Sequence, residues 1–288
     1  MKFGVSSYSL HNAMVNNEMT ILDVIDYIAQ IGGEHVEIVP LNFTLHDNPR
    51  LVEQIRERAS RAGIEISNYA IGANFAELGE AEYEAEIARV IKEVDVAHAL
   101  GVKRMRHDVA SSSDLSIRHF LEELPRLAEA CRRIADHAAG YGITTSVENH
   151  GFFIQASDRV QALIHAVDRS NFRTTLDIGN FICVDESSVV GVKNNLPYAS
   201  MVHIKDFYIR PSYLNPGEGW FRSSNGTYLR GAVAGQGDLD MRQILRLIRE
   251  SGYDGYVSLE FEGAEDCRWG ARVGLDNVKR LWNDTAAN

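Results

Sequence analysis

The chain has 288 residues, of which 45% are hydrophobic, and a formal net charge of −11. That length suits one α/β barrel of about 250 residues, and the negative charge, with no long run of Lys or Arg, argues against nucleic acid as a partner. No apolar stretch reaches the roughly 18 residues that cross a membrane, and no apolar leader opens the chain, so we expect a cytoplasmic protein without membrane contact.

Short β-branched runs alternate about eight times with longer segments of helical period, which is typical of βα units around a parallel sheet. In segment 20–32, apolar residues recur three and four positions apart between Thr20, a suitable N-cap, and Gly32, a terminator. The predicted strands are residues 3–8, 35–39, 65–69, 104–106, 144–147, 174–177, 201–205 and 256–261. Eight parallel strands close a barrel, so we predict a single (β/α)₈ TIM barrel domain over residues 1–288.

The cysteines are few and scattered. Cys131, Cys183 and Cys267 show no CxxC spacing, and their number is odd. Cys131 falls in the apolar stripe of a predicted helix. We therefore predict reduced thiols that pack in the core or near the surface.

One predicted connection, residues 207–238 after the seventh strand, is much longer than the others. It is rich in proline, glycine and aromatic residues and shows no clear periodicity. Loops of this length in a compact domain are usually functional. Because it follows the strand that contains His203, we predict a lid or a subunit contact on the active face, with a plain surface excursion as the alternative.

Four predicted strands carry, at or next to their C-terminal ends, a residue of a type that can bind metal ions. These residues are Glu148, Asp177, His203 and Glu260, which we call the four candidate ligands. Successive strand side chains face opposite sides, and in each strand the alternate, apolar positions suit the helix layer. The candidate ligands therefore share the inward parity, at the C-terminal end where barrel enzymes build their sites. We predict that three carboxylates and one imidazole converge on a divalent cation. The alternative is a set of structural charges, for instance with Lys205 paired to a glutamate inside the barrel.

The character of these ligands restricts the metal. Carboxylate oxygens with one imidazole nitrogen suit Mn²⁺ best, with Mg²⁺ or Co²⁺ as alternatives, and fit a thiolate-selected ion poorly. The carboxylates carry more negative charge than the ion's positive charge. Lys205 would help to balance that excess and could hold a substrate oxygen.

The motifs in order resemble those of the xylose-isomerase-like barrel superfamily, a group of sugar isomerases and epimerases that includes ketose 3-epimerases, hydroxypyruvate isomerases and inosose dehydratases. The resemblance spans nearly the whole chain. It is carried by the run Glu148 to Gly151, the run Asp177 to Asn180, the run His203 to Asp206, and Gly252 to Tyr256 leading into Glu260.

The resemblance implies a metal held by the four candidate ligands, with Glu148 and Glu260 serving as acid and base on opposite sides of the substrate. It also implies that Asn180, where many relatives have a histidine, contacts either substrate or metal. That departure and the acidic charge both weaken any analogy with the apurinic endonuclease branch. Relatives are often dimers or tetramers, so a homodimer or homotetramer is expected.

The chemistry expected of such a site is proton removal next to a carbonyl, through an enediolate whose charge a cation stabilises. Return of the proton gives epimerisation or aldose–ketose isomerisation, and loss of a β-hydroxyl gives dehydration. We predict a metal-dependent isomerase or epimerase of a ketose or related small sugar. The alternatives are a dehydratase of an inosose or a dehydroshikimate-like oxo acid, and a non-catalytic sugar-binding barrel.

Several polar residues near strand ends are candidates for substrate contact. His150 shares the parity of Glu148 if its strand continues. Strand-end polar residues also cap helices and tie loops, which is the alternative role. The predicted substrate-binding residues are His150, Lys205, Asn180, Asn68, His107 and Arg210.

Overall fold

Eight parallel strands form a closed barrel in a computed structural model of the protein, which describes residues 1–286. Each strand pairs in parallel with its two neighbours, in the cyclic order β1, β11, β7, β6, β5, β4, β3, β2. The predicted TIM barrel is therefore confirmed, and every predicted strand end lies within two residues of the observed one. The barrel strands are β1 Lys2–Ser6, β2 His35–Ile38, β3 Glu65–Ile71, β4 Arg104–His107, β5 Thr144–Glu148, β6 Phe172–Asp177, β7 Ala199–Ile204 and β11 Tyr256–Leu259. Residues 287–288 of the predicted domain lie outside the described residues.

Helices connect the strands and cover the barrel. Thr20 begins α2 as predicted, because its Oγ1 accepts a hydrogen bond from the Asp23 amide while Asp23 accepts one from the Thr20 amide. Gly32 follows this helix with a φ of 85°, in the region that favours glycine. The helices are α1 His11–Val15, α2 Ile21–Gln30, α3 Pro49–Ala62, α4 Glu80–Leu100, α5 Ile117–Ala139, α6 Ser157–Val167, α7 Ser188–Asn195, α8 Met241–Glu250 and α9 Cys267–Asp284.

The barrel wall separates an apolar layer from a polar interior. Val147, Leu176 and Val202 belong to the apolar core that the strands share with the helices. Their chain neighbours are the first three candidate ligands, which are buried and polar. Alternation along each strand thus sends the apolar side chains outward and the metal-type side chains inward, as predicted.

None of the helices found in residues 1–286 combines the length and the apolar character needed to cross a bilayer. All three cysteines are free and buried.

The long connection after β7 contains regular structure that its sequence did not indicate. Strands β8 Asp206–Arg210, β9 Phe221–Arg222 and β10 Tyr228–Ala232 form an antiparallel sheet in the order β8, β10, β9. Phe207 and Leu229 of this excursion join Cys183 in a small apolar cluster of their own. The strands were missed because they are short and are separated by proline- and glycine-rich turns, which conceal the alternation.

Asp206 ties both ends of the excursion to the barrel. Its Oδ1 accepts a hydrogen bond from the Phe207 amide at 2.9 Å, and its Oδ2 accepts from the amides of Gly235 and Gly237, both at 2.9 Å. A Cβ on Gly237 would lie 2.2 Å from Asp206 Oδ1, so only glycine permits this approach. The carboxylate is almost fully buried, and it fixes where the excursion leaves and rejoins the barrel.

Replacement of Asp206 by alanine should loosen the excursion. The amides of Phe207, Gly235 and Gly237 would lose a charged acceptor, and each such bond contributes about 1.5 to 3 kcal/mol, so we expect a loss of several kcal/mol in the free energy of unfolding. Denaturant unfolding would measure the loss, and limited proteolysis should show new cuts in residues 207–238. Asp276→Ala, an exposed change, is the control. Unchanged cutting of Asp206→Ala would contradict the anchoring role.

Candidate metal centre

The four candidate ligands meet inside the barrel at the C-terminal ends of their strands. One ligand atom from each lies within 4.8 Å of those of the other three, and all four residues are buried. Strand register produces this meeting, because Asp177 lies beside His203 across β6 and β7, and the amide of Glu260 bonds to the carbonyl of Ile204 at 2.9 Å. The four side chains therefore meet in one place as predicted, and their binding of a cation stays a prediction.

The ring of His203 is held by one nitrogen and open at the other. Its Nε2 lies 3.1 Å from Glu37 Oε1 and 2.9 Å from Glu37 Oε2. Its Nδ1 has no hydrogen-bond partner within residues 1–286 and lies 3.5 Å from Glu260 Oε1 and 3.7 Å from Glu148 Oε2. In the neutral ring, a carboxylate at Nε2 favours the tautomer that carries its proton on Nε2. Nδ1 is then the atom whose lone pair can bind a cation.

Asp177 also has one bound and one open oxygen. Its Oδ1 accepts hydrogen bonds from the amides of Gly179 at 2.7 Å and Asn180 at 2.9 Å. Its Oδ2 is buried 3.4 Å from Lys205 Nζ and accepts no hydrogen bond in the part of the chain that the structure describes. Buried polar atoms are rarely left unpaired in native proteins, so the open atoms of Asp177 and His203 indicate a ligand. This donor set fits a divalent cation.

Two cationic side chains of the protein offset part of the negative charge of the carboxylates. The guanidinium of Arg106 lies 2.6 Å from Glu148 Oε2, and Lys205 Nζ lies 2.9 Å from Glu260 Oε2. Asn180 donates to Glu148 Oε1 at 3.1 Å. Each of the two glutamates therefore keeps a charged partner of its own.

The pKa shifts follow from burial and from these partners. Burial alone would lower the pKa of His203, but the carboxylates of Glu37, Glu260 and Glu148 raise it to about 10. Burial raises the pKa of Asp177 to about 6, against the opposing effect of Lys205. Without a cation the cluster therefore retains protons, and cation binding would compete with them.

The pKa values of Glu148 and Glu260 shift downward. Burial opposes ionisation of both, yet Arg106 lowers the pKa of Glu148 and Lys205 lowers that of Glu260 below the usual value. Both carboxylates are therefore ionised at neutral pH. They are available as ligands and as proton acceptors.

Three predicted substrate-binding residues lie at or beside the cluster. Asn180 contacts Glu148, and its Oδ1 lies 3.4 Å from the ammonium of Lys205. His150 is half-exposed, and its Nδ1 lies 3.5 Å from Asp108 Oδ1. The hydrogen bond to Asp108 raises the pKa of His150. Their roles toward a substrate remain predictions.

Asn68 contacts Glu37, the residue that lies against His203. It is fully buried, and its Nδ2 donates to Glu37 Oε1 at 2.7 Å, behind the ring of His203. This hydrogen bond supports Glu37, and the predicted substrate contact of Asn68 stays a prediction. Glu37 itself emerges as a residue of the site, because its carboxylate orients a candidate ligand. Its position at the end of β2 was the available signal in the sequence.

Within residues 1–286, the contacts observed for His107 and Arg210 are with residues other than the candidate ligands. His107 is fully buried beside the rings of Phe75 and Phe172, because alternation along β4 turns it outward. The same alternation turns its neighbour Arg106 inward to Glu148. The guanidinium of Arg210 lies 3.1 Å from an oxygen of Asp238 and stacks over Trp220. The predicted substrate contacts of both residues stay predictions.

Comparison with known proteins identifies the family. The family described as "Xylose isomerase-like TIM barrel" matches residues 25–281. The chain belongs to this family, in agreement with the resemblance of its motifs.

Among curated proteins, an inosose dehydratase of Lacticaseibacillus casei is 27% identical over 196 residues, which is 62% of this chain and 64% of that protein. The aligned region thus spans less than two thirds of the relative's length. A crystal structure of the IOLI protein with a bound zinc atom has a TM-score of 0.77 at 17% identity and covers 100% of this chain and 98% of that one. A D-psicose 3-epimerase from Clostridium cellulolyticum H10, solved with D-tagatose, has a TM-score of 0.75 at 17% identity, covering 98% of this chain and 99% of the other. Identities this low establish the fold alone.

Glu37→Gln should weaken cation binding without removing a ligand. The amide cannot match the negative charge that holds the His203 proton on Nε2, and loss of such a partner typically lowers metal affinity about 10- to 100-fold. Calorimetric titration with MnCl₂ would measure this, with the exposed Glu53→Gln as the matched control. Equal Mn²⁺ affinity in the two variants would refute the role assigned to Glu37.

Proposed function

We propose that this protein is a divalent-cation-dependent enzyme that removes a proton from the carbon next to a carbonyl of a small polyhydroxylated ketone. The observation that carries the proposal is a pair of buried atoms, His203 Nδ1 and Asp177 Oδ2, which make no hydrogen bond within residues 1–286 and lie beside two ionised glutamates. In a purely structural charge cluster these atoms would be hydrogen-bonded within the protein. An open donor set beside proton acceptors is what enolisation requires.

The four candidate ligands would hold the cation, for which we propose Mn²⁺, with Mg²⁺ or Co²⁺ as alternatives. When bound, the cation supplies Lewis-acid stabilisation of the negative charge that develops on the substrate oxygens. A similar fold accommodates zinc in the IOLI protein. The mixed oxygen and nitrogen donors of this chain suit any of these hard or borderline ions.

Glu148 and Glu260 are the proposed proton-transfer groups. Both are ionised at neutral pH, and in barrel order β5, which carries Glu148, is separated from the Glu260 strand by β6 and β7. One carboxylate can take the proton next to the carbonyl, and the other can stand at a second face of the substrate. The ammonium of Lys205, held beside Glu260, is placed to donate hydrogen bonds to a substrate oxygen.

We favour dehydration as the outcome of enolisation, with an inosose as the substrate. The curated relative with the matching sequence region is named an inosose dehydratase. Loss of a β-hydroxyl needs a proton donor, and His150 is a half-exposed candidate whose pKa is raised by hydrogen bonding to Asp108. The leaving oxygen would take that proton as the carbon–oxygen bond breaks and the new double bond forms.

Epimerisation or isomerisation of a ketose is the second candidate. It is supported by the two separate carboxylates, which permit removal and return of a proton at different faces. The likeness to a D-psicose 3-epimerase shows that this fold accommodates such chemistry.

The substrate test compares an inosose with a panel of ketoses. Mn²⁺-loaded protein is incubated with 2-keto-myo-inositol in one set and with free ketoses in another, both in heavy water, and the products are followed by NMR. We expect a dehydrated product from the inosose. Deuterium uptake confined to a ketose would favour the second candidate. If no compound gives a product or exchanges deuterium, the proposed enzyme function fails and the hypothesis of a barrel that only binds sugars is favoured.

Glu260→Gln should lower turnover by about 10²- to 10⁴-fold, the usual contribution of general acid–base catalysis. The amide keeps the shape and one oxygen but cannot accept the proton. Activity is measured at saturating Mn²⁺, with circular dichroism as the test of folding and Glu53→Gln as the charge-matched control. Turnover within a few-fold of the wild type would exclude Glu260 as a proton-transfer group.

A further inference from the structure

A cavity of about 170 Å³ opens beside the candidate metal centre. It is lined by Tyr8, His11, Asn12, Phe261, Glu262 and Gly263 among others. These residues come from the segments that follow β1 and β11, the first of which includes the start of α1. The two strands are neighbours in the barrel. Lys205 joins the cavity to the centre, because its Nζ lies 2.9 Å from Glu260 Oε2 and 3.4 Å from Glu262 Oε2.

The polar groups of the cavity are arranged around a carboxylate. Glu262 lies two residues beyond Glu260, and its side chain is 26% exposed. The hydroxyl of Tyr8 donates to Glu262 Oε2 at 3.3 Å, and the Tyr8 ring stacks on His11 with a centroid separation of 6.3 Å. Nδ1 of His11 is buried and has no hydrogen-bond partner among the described residues, 1–286. A carboxylate beside flat ring faces and an unused imidazole nitrogen is a combination suited to the hydroxyls and C–H faces of a polyol.

The charge of the cavity is unfavourable to anions. Lys205 is the cation within 4 Å of the Glu262 carboxylate among residues 1–286, and its ammonium is already shared with Asp177 and Glu260. Burial raises the pKa of Tyr8 to about 12, so that side chain remains a neutral donor. A phosphate or carboxylate in the cavity would meet Glu262 without a free cation to neutralise it.

We propose that this cavity binds hydroxyl groups at the end of the substrate remote from the reacting carbon, with Glu262 as their acceptor, and that it selects uncharged polyhydroxy ketones over phosphorylated or acidic ones. The inference rests on the proposed function and names its substrate class. It favours an inosose or a free ketose and disfavours an oxo acid.

The test uses probes that bind but do not react, so that its result is independent of turnover. Mg²⁺-loaded protein is titrated with myo-inositol and with myo-inositol 1-phosphate, and the dissociation constants are measured by calorimetry. We expect the neutral probe to bind at least about tenfold more tightly, since a site built around hydrogen-bonded hydroxyls rejects a group that leaves its charge unpaired.

Substitutions at Glu262 assign the preference to this residue. Glu262→Gln should weaken the neutral probe about tenfold through loss of charge-assisted hydrogen bonds. Glu262→Lys should reverse the preference toward the phosphate. Glu262→Asp, which keeps the charge, should keep the preference, and the exposed Glu53→Lys should behave as the wild type. Circular dichroism verifies that each variant folds.

Several results would overturn the inference. These are a phosphorylated probe that binds the wild type as tightly as the neutral one, a preference that Glu262→Lys leaves in place, or no binding of either probe. Heavy-water exchange into ketones tests the proposed function separately. An enzyme that exchanges protons but fails the titrations would retain the proposed function and lose this subsite.

Discussion

Three carboxylates and an imidazole lie with their ligand atoms within 4.8 Å of one another in the buried interior of the barrel. Like charges at such distances repel strongly, and burial removes the water that would screen them. The protein offsets part of this charge with Arg106 against Glu148 and Lys205 against Glu260. The atoms that make no hydrogen bond within residues 1–286, Asp177 Oδ2 and His203 Nδ1, are those that a divalent cation would satisfy. The function proposed for the chain depends on this balance.

The surroundings of the cluster determine which atoms are available. Glu37 and Asn68, which form a buried pair behind His203, hold its Nε2 and leave Nδ1 open. The amides of Gly179 and Asn180 donate hydrogen bonds to Oδ1 of Asp177, so Oδ2 stays available to a cation. Because the ligands belong to barrel strands or directly follow them, their positions are rigid before any cation or substrate arrives.

Sequence patterns predicted the barrel and the four candidate ligands because both depend on short-range rules. Strand side chains alternate with a period of two, and parallel strands bring their C-terminal ends to one face. The excursion of residues 207–238 was not recognised as a sheet. Its strands hydrogen-bond to one another, and its apolar side chains pack against Cys183, and neither contact leaves a local pattern in the sequence. The contacts of His107 and Arg210 likewise depend on partners distant in the chain, Phe172 and Asp238.

The sequence by itself determined the order of strands and helices, the inward parity of Glu148, Asp177 and His203, and hence the type of site. These features follow from the local periodicity of polar and apolar residues, which can be read from a short segment of sequence. Only the tertiary structure decided that Glu37 orients His203 and that Arg106, rather than His107, faces Glu148. It also placed Glu262 in a cavity with Tyr8. Those relations join residues from different turns of the barrel, and a distance between them exists only once the ring of strands has closed.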